Sequence, residues 1–281
     1  MSNFNIKTID YKNVNAPKDF VESLRNTGFA VLHNHGLDDN LINSVYSEWS
    51  SFFNSKKKYN YLFDLEKQDG YFPMKSENAK DYNTKDLKEF FHIYLPWGRI
   101  PEEISENTIK IRNKLVDIGT ELLKWINDNT PDKISQNFSM PLNDMIKDSQ
   151  NNLLRVLHYP PIRDDDNKDA LRAAPHGDIN MITILLAGSE PGLQVLDMNK
   201  KWVDVGSNKG WLIINSGDML NKCSKGYYPS TIHRVVNPDI NNNKSRYSMP
   251  LFLHARDEVI LTEEFTAKQY LEKRLKSLGL K

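Results

Sequence analysis

At 281 residues the chain is long enough to bury a sizeable core, and it could hold two domains by length alone, although β-barrel folds of this size are commonly one unit. Thirty-seven lysines and arginines balance 37 aspartates and glutamates, so nothing draws the protein to nucleic acid or to an anionic membrane, and a small molecule is the expected partner. The single cysteine, Cys223, excludes an intrachain disulfide framework and a cysteine-built zinc cage. With no apolar run of signal-peptide or membrane-span length, the sequence reads as a cytoplasmic protein, monomeric or weakly homo-oligomeric.

In chain order, Ile6 to Ile9 is a short strand candidate, and Phe20, Val21 and Leu24 recur at helical spacing after Pro17, with Asn15 as the expected cap. Gly28 then leads into the apolar run Phe29 to Leu32, which reads as a buried strand. Asn34-His35-Gly36 turns the chain, with His35 fixing the turn through its ring nitrogens, and Asp38 can cap a second helix that presents Leu41, Val45, Trp49, Phe52 and Phe53 on one face. The triple lysine Lys56 to Lys58 closes that helix, where the charges complement its dipole and stay solvated. The aromatic, irregular stretch from Tyr59 to Trp97 contains a turn at Gly70-Tyr71-Phe72-Pro73 and a strand from Phe90 to Leu95. A long helix is expected from about Ile104 to Asn127, with Leu115, Ile118, Leu122, Trp125 and Ile126 on one face, followed by a weaker helical stretch around Met145.

From Asn152 onward strands dominate: Leu153 to Tyr159, Met181 to Ala187, Leu193 to Leu196, Lys201 to Val205, Trp211 to Asn215, Thr231 to Val236 and Arg246 to His254. Evenly spaced short strands with Pro, Gly and Asn turns suggest a double sheet of the jelly-roll type. A terminal helix from about Thr266 to Leu278 can dock on it through Tyr270, Leu271, Leu275 and Leu278. The expected fold is thus mainly β with flanking helices. Residues 1–150 form a mixed, helical region that packs on a jelly-roll domain of residues 151–281, in one compact unit.

The chemistry concentrates between Ala174 and Ser248. His176 and Asp178 share one side of an extended segment, with only Gly177 between them, and His233 follows far downstream. Two imidazoles and one carboxylate are the ingredients of a facial site for non-haem Fe(II), which leaves positions free for a cosubstrate and O₂. A structural zinc site would need a fourth protein ligand, and none stands near. Arg246 and Ser248 also share one strand face, and a guanidinium plus a hydroxyl suits the distal carboxylate of a dicarboxylate ligand. Cys223 lacks an evident base partner, and Asp164-Asp165-Asp166 lacks the glycine and closing glutamate of a calcium loop, so both read as structural or solvated.

These residues resemble the Fe(II)/2-oxoglutarate dioxygenases of the isopenicillin N synthase-like family. The likeness lies in His176-x-Asp178, His233-Arg234-Val235 and Arg246-x-Ser248, and extends to Gly28-Phe29-Ala30-Val31 with Asn34-His35-Gly36, Gly70-Tyr71, Asp86, Lys88-Glu89-Phe90 and Asn215-Ser216-Gly217-Asp218. The resemblance implies a distorted double-stranded β-helix with His176, Asp178 and His233 as iron ligands and catalytic centre. It also implies 2-oxoglutarate held by Arg246 and Ser248, with Tyr159 adding a hydrogen bond, O₂ as cosubstrate and ascorbate as a candidate reductant. Where many plant members have an NYYP segment this chain has Leu157-His158-Tyr159-Pro160, so Leu157 can supply only packing in place of the asparagine.

The implied reaction is oxidation of an unactivated C–H bond of a small molecule by hydroxylation, desaturation or ring closure, with release of succinate and CO₂. Two alternatives stay open at this point: an oxidase of the same fold that does not use 2-oxoglutarate, and a catalytically silent jelly roll that binds a small ligand. For the substrate the sequence offers Tyr71, Phe72, His92 and Tyr94 as candidate contacts, and Arg172 and Arg256 as candidate anchors for an anionic group.

Overall fold

The computed structural model describes residues 4–77, 84–188, 190–206 and 208–277. Strand β1 (Thr8–Asp10) precedes helix α1 (Ala16–Thr27), which buries Phe20, Val21 and Leu24 as its spacing predicts. Asn15 stands at the cap position but makes no side-chain cap bond; its own N–H is taken by the Asn13 side chain at 2.9 Å, and Pro17 removes a donor from the first turn. Gly28 ends the helix at φ 74°, and a Cβ there would stand 2.3 Å from Thr231 Oγ1, so both the backbone conformation and the close approach require glycine. Strand β2 (Phe29–His33) follows. Asp38 caps α2 (Asp39–Asn54) by accepting from the Leu41 N–H at 2.8 Å, and His35 fixes the preceding turn by pairing with the Gly210 carbonyl at 2.8 Å.

The triple lysine lies beyond α2, in a 3-10 turn, and Lys58 is not solvated. Its ammonium reaches the Phe53 carbonyl at 2.7 Å and the buried Glu89 carboxylate at 2.8 Å. The expected turn at Gly70 is in fact strand β3 (Gly70–Phe72), paired antiparallel with β4 (Glu89–Tyr94). Helix α3 (Asn107–Asn129) and the one-turn helices α4 (Asp132–Ser135) and α5 (Leu142–Met145) complete the first half.

The second half holds β5 (Leu153–Tyr159), β6 (Ala173–His176), β7 (Ile182–Leu186), β8 (Leu193–Leu196), β9 (Trp202–Asp204) and β10 (Leu212–Ser216). Helix α6 (Asp218–Cys223) follows, then β11 (His233–Val235), β12 (Arg246–Leu253), the small hairpin β13 (Ile260–Thr262) and β14 (Phe265–Thr266), and α7 (Ala267–Ser277). On α7, Tyr270 is buried and Leu271 packs against the core, while the expected contact from Leu278 lies outside the described residues. Among the described residues no helix is long and apolar enough to cross a membrane.

Among the described residues the main strands make an eight-stranded sheet in the order β1-β2-β10-β7-β12-β5-β4-β3 and a four-stranded sheet in the order β6-β11-β8-β9. The period-2 alternation of each strand sorts its side chains between two apolar layers. Ala30, Leu32, Phe91, Leu154, Val156 and Leu251 join the helices on one side of the large sheet. Phe29, Val31, Phe90, Leu157, Val195 and Val235 fill the space between the two sheets. This is the mainly β, double-sheet architecture with flanking helices that the strand pattern and the resemblance led us to expect, and the inter-sheet layer is where the candidate site opens.

Candidate active site

His176 ends β6 and stands directly across the ladder from His233 on β11, with ring centroids 4.4 Å apart. Asp178 follows one residue after Gly177, and the ligand atoms of His176, Asp178 and His233 all lie within 4.8 Å of one another. Each is oriented by a second partner. The Nδ1 of His176 faces the Ala174 carbonyl at 2.7 Å and the Nδ1 of His233 faces the Thr231 carbonyl at 3.2 Å, which makes Nδ1 the protonated nitrogen and leaves each Nε2 as a free lone pair. One carboxylate oxygen of Asp178 accepts from Thr183 Oγ1 and from Asn215 Nδ2, the latter at 2.8 Å, while the other oxygen stands 3.8 Å from His233 Nε2.

The electrostatics suit a divalent cation. Burial pushes the His176 imidazole down to about 4, helped by the neighbouring His233, so the ring is neutral near pH 7. Burial works against the Asp178 carboxylate, but His233, His176 and the hydrogen bonds from Asn215 and Thr183 together hold it below its ordinary value. The neutral imidazole of His176, the imidazole of His233 and the ionised carboxylate of Asp178, gathered at one place, fit a facial Fe(II) centre.

Arg246 and Ser248 project into the same cavity from β12, where Arg246 lies across from Tyr159 and Ser248 from Leu157. The guanidinium donates from Nη1 to Ser248 Oγ at 3.3 Å and from Nε to the Glu190 carbonyl at 3.1 Å, and it lies over the Tyr159 ring at 5.1 Å. Its partners are a carbonyl and a hydroxyl, with no carboxylate among the described residues, so a buried positive charge faces the cavity ready for an anionic ligand.

The structure does not bring the six substrate candidates into this narrow cavity, which measures about 70 Å³. Tyr71 belongs to the opposite face of the large sheet, where its hydroxyl bonds Glu89 beside Phe53. Phe72 and His92 are on the cavity side of their strands but stand behind the wall, Phe72 stacked between Phe63 and Phe90, and His92 accepting from Arg155 Nε at 2.7 Å. Tyr94 stacks on Trp97, farther along β4. Arg172 is fully buried, with its guanidinium donating to the Lys244 carbonyl, and Arg256 binds the Asp144 and Lys147 carbonyls next to Glu258. Cys223 is buried, and burial pushes its thiol up to about 12, far from a reactive thiolate.

Residues to which the sequence reading gave no site role complete the wall: Arg155, Leu185, Phe252 and Thr183, together with Lys88 and Asn215, which stood only in the motifs of the resemblance. Lys88 is held between Glu77 and Asp86, each at 2.8 Å. Asp86 in turn accepts from the Ala174 N–H at 3.0 Å, which ties the segment leading into β4 to the strand that carries His176. Alternation along β5 was the available signal for Arg155, because residues 155, 157 and 159 share one face.

Comparison with known proteins places this arrangement. Residues 150–255 match the model of the 2OG-Fe(II) oxygenase superfamily, and residues 7–114 match the N-terminal model described as non-haem dioxygenase in morphine synthesis. A crystal structure of a Shewanella oneidensis protein designated a candidate oxygenase is 48% identical, with a TM-score of 0.89 over 98% of this chain and 99% of that one. A 2OG-Fe(II) oxygenase family protein from Caulobacter crescentus is 30% identical, with a TM-score of 0.77 over 96% of this chain and 98% of its own. A curated 2-oxoglutarate-dependent dioxygenase of Monascus ruber is 38% identical over 102 residues, 35% of this chain and 30% of that protein, so the match spans about a third of that relative. The chain belongs to the 2OG-Fe(II) oxygenase superfamily, in which Fe(II), 2-oxoglutarate and O₂ are the working set.

Proposed function

We propose that this protein is an Fe(II)- and 2-oxoglutarate-dependent dioxygenase that oxidises a C–H bond of a small organic molecule. The observation that carries the reading is the convergence of three metal-ligating atoms within 4.8 Å of one another and an arginine–serine pair in one cavity. His176, Asp178 and His233 would hold the metal, and Arg246 with Ser248 the distal carboxylate of 2-oxoglutarate, with Tyr159 beside them. When bound, the iron supplies the oxidising chemistry, coupling decarboxylation of 2-oxoglutarate to succinate and CO₂ with oxidation of the substrate. The residues of the chain then have separate tasks. Thr183 and Asn215 hold Asp178 ionised and oriented, and the carbonyls of Ala174 and Thr231 keep the imidazole tautomers fixed. Phe29, Leu157, Leu185 and Val235 exclude water from the inner wall. We read the chain as acting in the cytoplasm, alone or as a weak homo-oligomer, on a small molecule rather than on nucleic acid or a membrane; its zero net charge supports this.

Measuring succinate formed per molecule of oxidised substrate, alongside metal content, tests the assignment. His176→Ala and Asp178→Ala are expected to lose bound Fe(II) and turnover with the fold intact by circular dichroism. Arg246→Ala should keep its metal and bind 2-oxoglutarate roughly 100-fold more weakly, the scale of a lost charge-assisted hydrogen-bond pair. Product without succinate would instead identify an oxidase that does not use 2-oxoglutarate, and equal loss of metal and 2-oxoglutarate in Arg246→Ala would remove the role given to that residue.

A further inference from the structure

A second cleft, about 550 Å³ and therefore within the usual range of small-molecule sites, opens between α3, the loop after α5 and the end of β4. It shares no wall residue with the candidate active site. Asn152, at its floor, and Tyr159, at the cosubstrate end, bracket opposite ends of β5, about 20 Å apart at the rise of an extended strand. One wall is a helix face built at i, i+4, i+8 by Arg112, Val116 and Thr120. Pro96, Val116 and the buried Ile146 make part of it apolar.

The polar groups around this cleft are incompletely partnered. The Arg112 guanidinium makes one side-chain bond, from Nη1 to Asn113 Oδ1 at 3.1 Å, and its buried Nε has no partner. No described carboxylate pairs with it, and burial without an opposing charge lowers its pKa. Ser149 is buried and its Oγ is unpartnered. Asn152, only 4% exposed, uses Oδ1 to accept from the His254 N–H at 2.9 Å, which leaves its amide donors to serve a ligand. Lys147 stands exposed at the edge with no ion pair among the described residues, beside the exposed Asp144 and Asp148. Arg256 pins the loop by donating to the carbonyls of Asp144 and Lys147.

We propose that this cleft is a binding site for a small monocarboxylate with an apolar body, its carboxylate held by Arg112 with help from Asn152 and Lys147. An arginine without a carboxylate partner, facing a cleft with orphaned donors, is the arrangement that a planar carboxylate completes with paired hydrogen bonds. The apolar wall of Val116 and Ile146 receives the hydrocarbon part. The exposed carboxylates of Asp144 and Asp148 at the edge disfavour added negative charge on the ligand, so a single carboxylate suits the cleft better than a polyanion.

Calorimetric titration of hexanoate into the protein saturated with Mn(II) and 2-oxoglutarate tests this, with hexanamide as the uncharged control and benzoate as a second probe. Saturable binding is expected for hexanoate or benzoate, and at least roughly tenfold weaker binding for the amide. Arg112→Gln should weaken the carboxylate roughly 10- to 100-fold, the range of a lost charge-assisted hydrogen bond, and the exposed Lys147→Gln should weaken it a few-fold with unchanged thermal stability. Arg155→Gln, in the wall of the active site, should leave it unchanged. The proposal is overturned by dissociation constants weaker than about 10 mM for both carboxylates. It is equally overturned by equal binding of the amide, or by a loss of binding in Arg155→Gln that Arg112→Gln and Lys147→Gln do not share.

Discussion

Asp178 keeps its charge where burial alone would neutralise it: His233 and His176 favour the ionised form, and Asn215 and Thr183 add to this by donating to the oxygen that is not turned toward His233. The two donors meet there because Asn215 and Thr183 are cross-strand partners on β10 and β7. Replacing Asn215 with Ala should therefore weaken Mn(II) or Fe(II) binding roughly 10- to 100-fold with the fold retained, as outer partners of metal ligands generally do. Anaerobic metal titration checks this, and an unchanged affinity would show that Thr183 alone suffices. His254 bears on stability instead. It is buried, its Nδ1 has no partner, and burial lowers its pKa to about 4. The folded protein therefore resists protonating a ring that the unfolded chain protonates near its ordinary value of about 6.5. Between those values unfolding takes up a proton, so this contribution to stability is present above about pH 6.5 and is lost as the pH falls toward 4. Urea unfolding at pH 7 and pH 4.5 should show a smaller acid loss in His254→Gln than in the parent, whatever the offset at pH 7. Parallel losses would assign the acid sensitivity to other groups.

Helix α3 lies flush on the large sheet at Gly119, where a Cβ would stand 2.2 Å from Leu253 Cδ1 and 2.8 Å from Ile184 Cδ1. Alanine normally favours a helix interior by about 1 kcal/mol over glycine. Here the overlap outweighs that preference, so Gly119→Ala should destabilise by about 1–3 kcal/mol, the usual cost of overpacking. Chemical denaturation checks the sign, and a stabilised variant would mean that Leu253 and Ile184 yield at little cost. At the scale of elements, the sequence pattern was legible wherever one period ran uninterrupted, as in β5, β8 and α2. It failed where flanking residues masked a short element. Gly70 and Pro73 made β3 look like a turn, which concealed that Tyr71 and Phe72 face opposite sides of the sheet. The Gly217-Asp218 step concealed α6, a helix of six residues. Lys58 looked solvated because its partner, Glu89, is distant in sequence and comes near only through the packing of β4 against α2. The candidate site divides in the same way. His176, Asp178, Arg246 and Ser248 are legible because each pair is two residues apart, whereas alternation puts Arg155 on one face with Leu157 and Tyr159 but only the pairing of β5 with its neighbours shows that this face lines the cavity.

Strand order bears on whether residues 1–150 and 151–281 can be separated. The central strands β10, β7, β12 and β5 come from the second half, but β1 and β2 extend the large sheet on one edge and β4 and β3 on the other. Residues Phe20, Val45, Trp49 and Leu115 of α1, α2 and α3 cover the face that Ile184, Leu212, Leu251 and Leu253 present. Cutting the chain near residue 150 would leave two unpaired strand edges and a continuous apolar sheet face in water. We therefore propose that the two halves form a single folding unit. Expressed alone, residues 151–281 should lack a cooperative thermal transition and bind a hydrophobic dye, whereas the whole chain should unfold in one calorimetric transition whose van't Hoff and calorimetric enthalpies agree. The same dependence would reach the metal. Asp86, at the approach to β4, holds the Ala174 N–H two residues before His176, and Phe29 of β2 packs edge-on against His233 at 5.5 Å between centroids. An isolated second half would thus carry all three ligands without two of the contacts that aim them, and it should bind Mn(II) at least roughly tenfold more weakly than the whole chain. A fragment that melts cooperatively and binds Mn(II) at full strength would show that the first half only decorates the site.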